Sequence, residues 1–243
     1  MAACKMENLM LIEDKKLWQK SLDVYKDIVE LISEQKVSKS KRKVKKEDTL
    51  SHLDKWYQEE LTKSVLSRDP PHFNSAELCQ LMKWKLTRGK FRPRLTDLVK
   101  ENTEKNVMDI TTKAFSLLPN VRKAIEMLTK LKAVGPATAS ALLCTVAPHV
   151  APFMSDESTQ SVPGIGPLNY SLKQYLDYAE ALQEKARDLG KSWDAHKVEL
   201  ALWSHHFAMK LKPELLHTET SKEEEEEEER TDAPASKKQK LST

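Results

Sequence analysis

Between two helix-forming runs, residues 121–132 and 137–146, the chain has only Val134-Gly135-Pro136 in which to reverse direction. The first run places Ala124, Ile125, Leu128 and Leu131 on one face at helical spacing. Asn120 stands ready to cap it, behind the stop at Pro119. Pro136 suits the first position of the second helix, where its missing N–H is no loss and its φ is already helical. Ala137, Ala139, Ser140 and Ala141 are small enough for the two helices to pack closely. The break dictates a helical hairpin whose turn offers backbone N–H groups and a helix N-terminus, both of which suit an anion.

The rest of the chain also reads as helix. Only 5 glycines and 5 phenylalanines among 243 residues disfavour sheet. Residues 9–32 repeat Leu17, Leu22, Tyr25, Val29 and Ile32 as one amphipathic N-terminal helix (domain range 1–35). The basic stretch 36–47 has no periodicity and reads as an exposed linker. A second amphipathic run, 48–66, ends before Pro70-Pro71. Asn74 or Ser75 caps a helix through Leu78, Leu81, Met82 and Trp84, closed by Gly89 and Pro93. Further helices are expected over 95–100, 109–118, 170–189 and 194–209, with loop over most of 148–167. The expected fold class is all-α: one helical domain over 48–212 with its hairpin at 121–146, then a disordered acidic and basic tail, 213–243.

Charge is unevenly spread. Residues 36–100 hold 17 basic and 8 acidic side chains, a surplus of +9, whereas 213–243 hold 5 and 10, or −5. That asymmetry suits a polyanionic partner. Three widely spaced cysteines offer neither a disulfide framework nor a metal cluster, and His196, His205 and His206 lack partner ligands, so neither metal nor cofactor is expected. With no signal-peptide-like or membrane-spanning apolar run, the expectation is a soluble intracellular monomer with no membrane partner.

The segment Leu131-Lys132-Ala133-Val134-Gly135-Pro136-Ala137-Thr138-Ala139 resembles the hairpin of the helix-hairpin-helix DNA glycosylase superfamily, which includes endonuclease III, adenine glycosylase and 8-oxoguanine glycosylase. The resemblance covers residues 48–212 and is most specific over 121–157. It implies a glycosylase-like helical bundle, DNA as partner and phosphate contact at Val134, Gly135, Pro136 and Ala137. It also implies a catalytic Asp about twenty residues beyond the turn; Asp156, in Pro152-Phe153-Met154-Ser155-Asp156, follows Gly135 by 21 residues. The stretch from Trp84 to Pro93 is similar to a eukaryotic branch of the superfamily that lacks the catalytic lysine and brings no reaction with it. Two departures matter. Family turns carry glycine at both ends, and here the first is Ala133. Members that cleave through an amine carry Lys where this chain has Ala137, which excludes lyase chemistry through that position.

The basic residues Lys85, Arg88, Lys90 and Arg92 surround Trp84 and Phe91 and suit a strand-gripping surface, although both rings are expected in the core. The expected function is DNA-backbone binding without lyase activity. A monofunctional base-excision glycosylase using Asp156 is the alternative, and a protein-interaction scaffold the third class. Glu223 to Glu229 offer a docking site for basic proteins, and clusters at 41–46 and 237–241 imply a nuclear location.

Overall fold

A computed structural model describes residues 8–41 and 43–217; the glutamate run and the second basic cluster lie outside them. Among the described residues every regular element is helical. The helices are α1 (Lys15–Asp23), α2 (Tyr25–Lys39), α3 (Leu50–Lys55), α4 (Thr62–Leu66), α5 (Ser75–Arg88), α6 (Pro93–Leu98), α7 (Glu104–Ser116), α8 (Val121–Leu128), α9 (Pro136–Cys144), α10 (Asp156–Ser161), α11 (Leu172–Leu189) and α12 (Ala195–Leu211). No helix among the described residues is long and apolar enough to cross a membrane.

Helix α9 sits at the centre. Every residue from Ala137 to Cys144 is buried, against α5, α8 and α11. A helix made almost wholly of small and apolar residues has no face to give to water, so it is enclosed on all sides. Around it, α5 contributes Leu78, Leu81, Met82 and Trp84, and α11 contributes Tyr175, Tyr178 and Leu182. Trp84 stacks on Tyr57 at 3.6 Å, and Tyr57 donates its hydroxyl to the Ala141 carbonyl at 2.9 Å. The π-helical turn Trp56–Leu61, joining α3 to α4, carries Tyr57 to that place.

The helix starts follow local chemistry. Asn74 closes a reciprocal capping box with Glu77, accepting from the Glu77 N–H at 2.7 Å while its own N–H donates to Glu77 Oε2 at 3.1 Å. Asp14, Thr103, Asn120, Ser171 and Asp194 cap α1, α7, α8, α11 and α12 with their side-chain oxygens.

Several expectations are corrected. The single N-terminal helix over 9–32 is a short 3-10 turn, Leu9–Leu11, followed by two helices that break at Val24. Nor is the N-terminal region set apart: Leu9 and Trp18 share the core with α5 and α9, and α1 packs along α12. The basic stretch 36–47 begins as helix, since α2 runs to Lys39; lysine favours helix and needs no core to do so. Helix α7 starts at Glu104, five residues before its apolar pattern shows, because Thr103 caps a polar first turn. The loop 148–167 contains α10. Beyond Pro213, the turn Pro213–Leu216 is packed, with Leu216 buried against the α2–α12 cluster.

Candidate nucleic-acid interface and its cavity

The hairpin turn is longer than the three residues read from sequence, because α8 stops at Leu128 and α9 starts at Pro136. Between them the chain tightens into i→i−3 bonds, from Lys130 to Met127, Leu131 to Leu128 and Val134 to Leu131. Asn102 holds this segment from outside the hairpin. Its side chain accepts from the Lys132 N–H at 2.8 Å and donates to the Lys132 carbonyl at 3.0 Å. Lys132 itself points away from the turn, to Glu101 at 2.7 Å.

Two backbone values separate the roles of the turn residues. Ala133 has φ +66°, the left-handed region where a Cβ is strained, and it stands at the position of the absent first glycine. Gly135 has φ −97°, open to any residue, and a Cβ built on it meets nothing within 4 Å. Nothing in the fold therefore requires glycine at 135. The Gly135 and Ala137 N–H groups donate to no acceptor among the described residues.

Gly135, Pro136 and Ala137 line a cavity of about 220 Å³. The fold brings most of the singled-out residues to it: Lys85, Arg88, Lys90 and Arg92 from α5 and the segment after it, and Asp156 from α10. Val134 is not among the lining residues; its side chain is buried in the core.

Arg88 does not face a solvent-side partner. It is 2% exposed and pairs with Glu199 through both guanidinium ends, at 2.9 and 3.2 Å. Rings surround it, Trp203 at 4.4 Å and Phe153 at 5.3 Å from its guanidinium carbon. Burial opposes its charge, but Glu199, Tyr25 and Asp54 more than offset that and hold it protonated. Arg88 is thus a structural cation beneath the cavity, and its assignment to strand gripping is corrected. Phe91 is corrected in the other direction: expected in the core, it is 69% exposed on the loop between Lys90 and Arg92. Trp84 and Trp203 are fully buried.

Asp156 is the first residue of α10, whose N-cap Ser155 donates its hydroxyl to Glu199 at 2.6 Å. The Asp156 carboxylate accepts from the Tyr170 hydroxyl at 2.9 and 3.0 Å. Arg92 donates to the same hydroxyl at 3.2 Å, and its guanidinium lies over the Tyr170 ring at 5.0 Å. Tyr170 has φ +55°, an uncommon state for an aromatic residue, and Gln174 fixes it by accepting from the Asn169 and Tyr170 N–H groups at 2.9 and 3.1 Å. No sequence signal marked Tyr170, because a strained backbone in a loop leaves no periodicity to read.

Two further groups are perturbed. Burial pushes the Glu157 carboxyl up, and its Oε2 is buried with no hydrogen-bond partner. Burial, reinforced by Arg92 and opposed by Asp156, pulls the Lys85 amine down to about 8. The histidines make no metal site. His196 bonds to Gln58 at 2.9 Å, and among the described residues no group of three or more His, Cys, Asp or Glu could hold a metal ion.

The class that fold and site define is an all-helical protein with a cation-lined cavity beneath a helical hairpin turn. Comparison with protein-family models, with curated proteins and with solved structures found no match to this chain.

Proposed function

We propose that this chain binds DNA through its backbone, with a phosphate taken at the turn from Val134 to Ala137 and the strand gripped by Lys85, Lys90 and Arg92. One observation carries the reading: the unaccepted N–H groups of Gly135 and Ala137 lie at a cavity lined by those three cations. Backbone donors at a helix N-terminus, with cations beside them, are what a phosphodiester selects. Glycine at 135 is explained by the same reading, since the fold leaves space there that only a bound partner would fill. Phe91 supplies an exposed ring beside Lys90 and Arg92 on which a base can stack.

The test is binding of the full chain to a labelled duplex containing an abasic site, across a salt series. Affinity should fall steeply as salt rises. Gly135→Arg should weaken binding by about tenfold or more, roughly the worth of one charge-assisted phosphate contact, with an unchanged melting temperature. Absence of binding at low salt would leave the protein-interaction scaffold as the surviving reading.

A second reading, base excision by a monofunctional glycosylase, is favoured by the carboxylate of Asp156, which Tyr170 orients at the cavity. A carboxylate there would activate water or stabilise a cationic sugar. Asp156→Asn should then abolish base release from damaged duplexes and leave binding intact. A nuclear location belongs to the same proposal and is checked by imaging a tagged chain with and without residues 237–241.

A further inference from the structure

We propose that Lys85 is an amine nucleophile, presented from α5 into the cavity that the hairpin turn and Asp156 also line, and that it condenses with an aldehyde carbon of a bound strand. The substrate class rests on the nucleic-acid reading above; the nucleophile rests on the cavity.

The lysines of this fold have ordinary occupations. Lys132 pairs with Glu101 and Lys83 with Asp48, Lys36 donates to the Thr87 carbonyl, and Lys15 donates to the carbonyl of Asp188. Lys85 has none of these. It lies between the buried residues Trp84 and Leu86, its side chain lines the cavity, and its amine has no hydrogen-bond or ion-pair partner among the described residues. Desolvation and the neighbouring Arg92 cation both favour the neutral amine, whose pKa is lowered to about 8. Roughly a quarter of it is then neutral at pH 7.5, against about one part in a thousand for a solvated lysine.

The sequence excluded an amine at position 137, but Ala137 lines the same cavity, and its short side chain leaves the space to an amine arriving from another helix. An intact sugar–phosphate chain offers no carbonyl to attack, and the base carbonyls are unreactive amides. A deoxyribose that has lost its base and opened its ring has an aldehyde at C1′, and the cavity of about 220 Å³ is sized for one ring rather than a large ligand.

The balance is complete without a further reactant. The neutral Lys85 Nζ forms a bond to C1′, and the carbonyl oxygen leaves as water, giving an iminium. The carboxylate of Asp156 takes a proton from C2′. The released electron pair shifts through C2′ and expels the phosphate at C3′, and water hydrolyses the imine to return the amine. Tyr170 and Arg92 keep Asp156 oriented for the proton transfer.

The experiment treats the full chain and an end-labelled abasic-site duplex with sodium borohydride, which reduces an iminium to a stable amine. A covalent protein–DNA adduct is expected, mapping to Lys85 by mass spectrometry. Lys85→Arg, which keeps the charge, should lose the adduct by roughly 100-fold while its salt-dependent affinity stays within about threefold. Asp156→Asn should retain the adduct and lose strand scission. An undiminished adduct in Lys85→Arg, or a bound duplex with no adduct, overturns the proposal. A second arm separates the amine from the strand: pyridoxal phosphate with borohydride should modify Lys85 first, with a rate rising through about pH 8. If the duplex does not bind, the nucleic-acid reading fails, and this arm still decides the nucleophile; modification spread evenly over the surface lysines overturns it.

Discussion

Ala133 and Lys85 each hold a state that the folded chain makes costly. Ala133 carries φ +66°, and left-handed backbone costs a residue with a Cβ about 1–2 kcal/mol. Ala133→Gly should therefore stabilise the protein by about 1 kcal/mol after the added entropy of the unfolded glycine is subtracted, read as a higher midpoint in urea with an unchanged slope. Lys85 stores its cost as charge. Its folded pKa is about 8, below the roughly 10.4 of the unfolded chain. A depressed pKa gives stability that is present above the unfolded value and lost as pH falls through the folded one. Lys85→Met should accordingly raise stability at pH 7 by about 2–3 kcal/mol, with the gain shrinking between pH 8 and 10.4. Glu157 has the opposite sign, because burial raises its pKa. Its favourable contribution is complete below the unfolded value of about 4.3 and lost as pH rises through the folded one, so Glu157→Gln should stabilise the protein at pH 7 and do nothing at pH 3. A fold that tolerates these costs around one cavity is retaining groups for a reason other than stability.

At the level of elements, the hairpin depends on a residue outside it. Asn102, at the end of the short turn Val99–Glu101, satisfies both polar groups of the Lys132 backbone where α8 has already ended. Asn102→Ala should cost about 2–3 kcal/mol, since two buried hydrogen bonds are lost and their backbone partners left unsatisfied. It should also loosen the turn, seen as faster amide exchange at residues 132–135 than in the parent protein. Periodicity located α8 and α9 correctly but overran α8, because Leu131 keeps the apolar spacing while sitting in a 3-10 turn. In α7 the error was opposite, with a polar first turn that carries no apolar signal.

Across the whole molecule, the two ends of the chain close the core together. Trp203 of α12 is buried under Tyr25 and Phe207, in a cluster that also takes Ile28, Val29 and Ile32 from α2. The ion pair of Arg88 and Glu199, with Ser155, then joins α5, α12 and the start of α10. A chain cut to 48–217 would lose α1 and α2 and expose these side chains. Each large apolar side chain is worth about 1.5–3 kcal/mol on burial, so losing five or more removes most of a normal stability of about 5–15 kcal/mol. The truncated chain should show no cooperative unfolding in calorimetry, whereas residues 8–217 should melt as one transition. Glu199→Ala should cost about 3–5 kcal/mol by leaving Arg88 charged and unpaired.

The sequence by itself determined the helical class, most helix starts and the position of the hairpin, because spacing, caps and proline act over a few residues and leave a local record. Asn74, Thr103 and Asp194 could be read as caps for that reason, and Asp156 could be placed beyond the turn by counting. Only the tertiary structure decided which basic residues line a cavity and which are counter-ions. Lys85 and Arg88 are three residues apart on α5, and no local rule assigns one to the cavity as an unpaired amine and the other to Glu199, 111 residues away. The same holds for Tyr170 over Asp156 and for Phe91 left outside. Desolvation and long-range pairing depend on what the fold brings alongside a side chain, and that neighbour is rarely its neighbour in sequence.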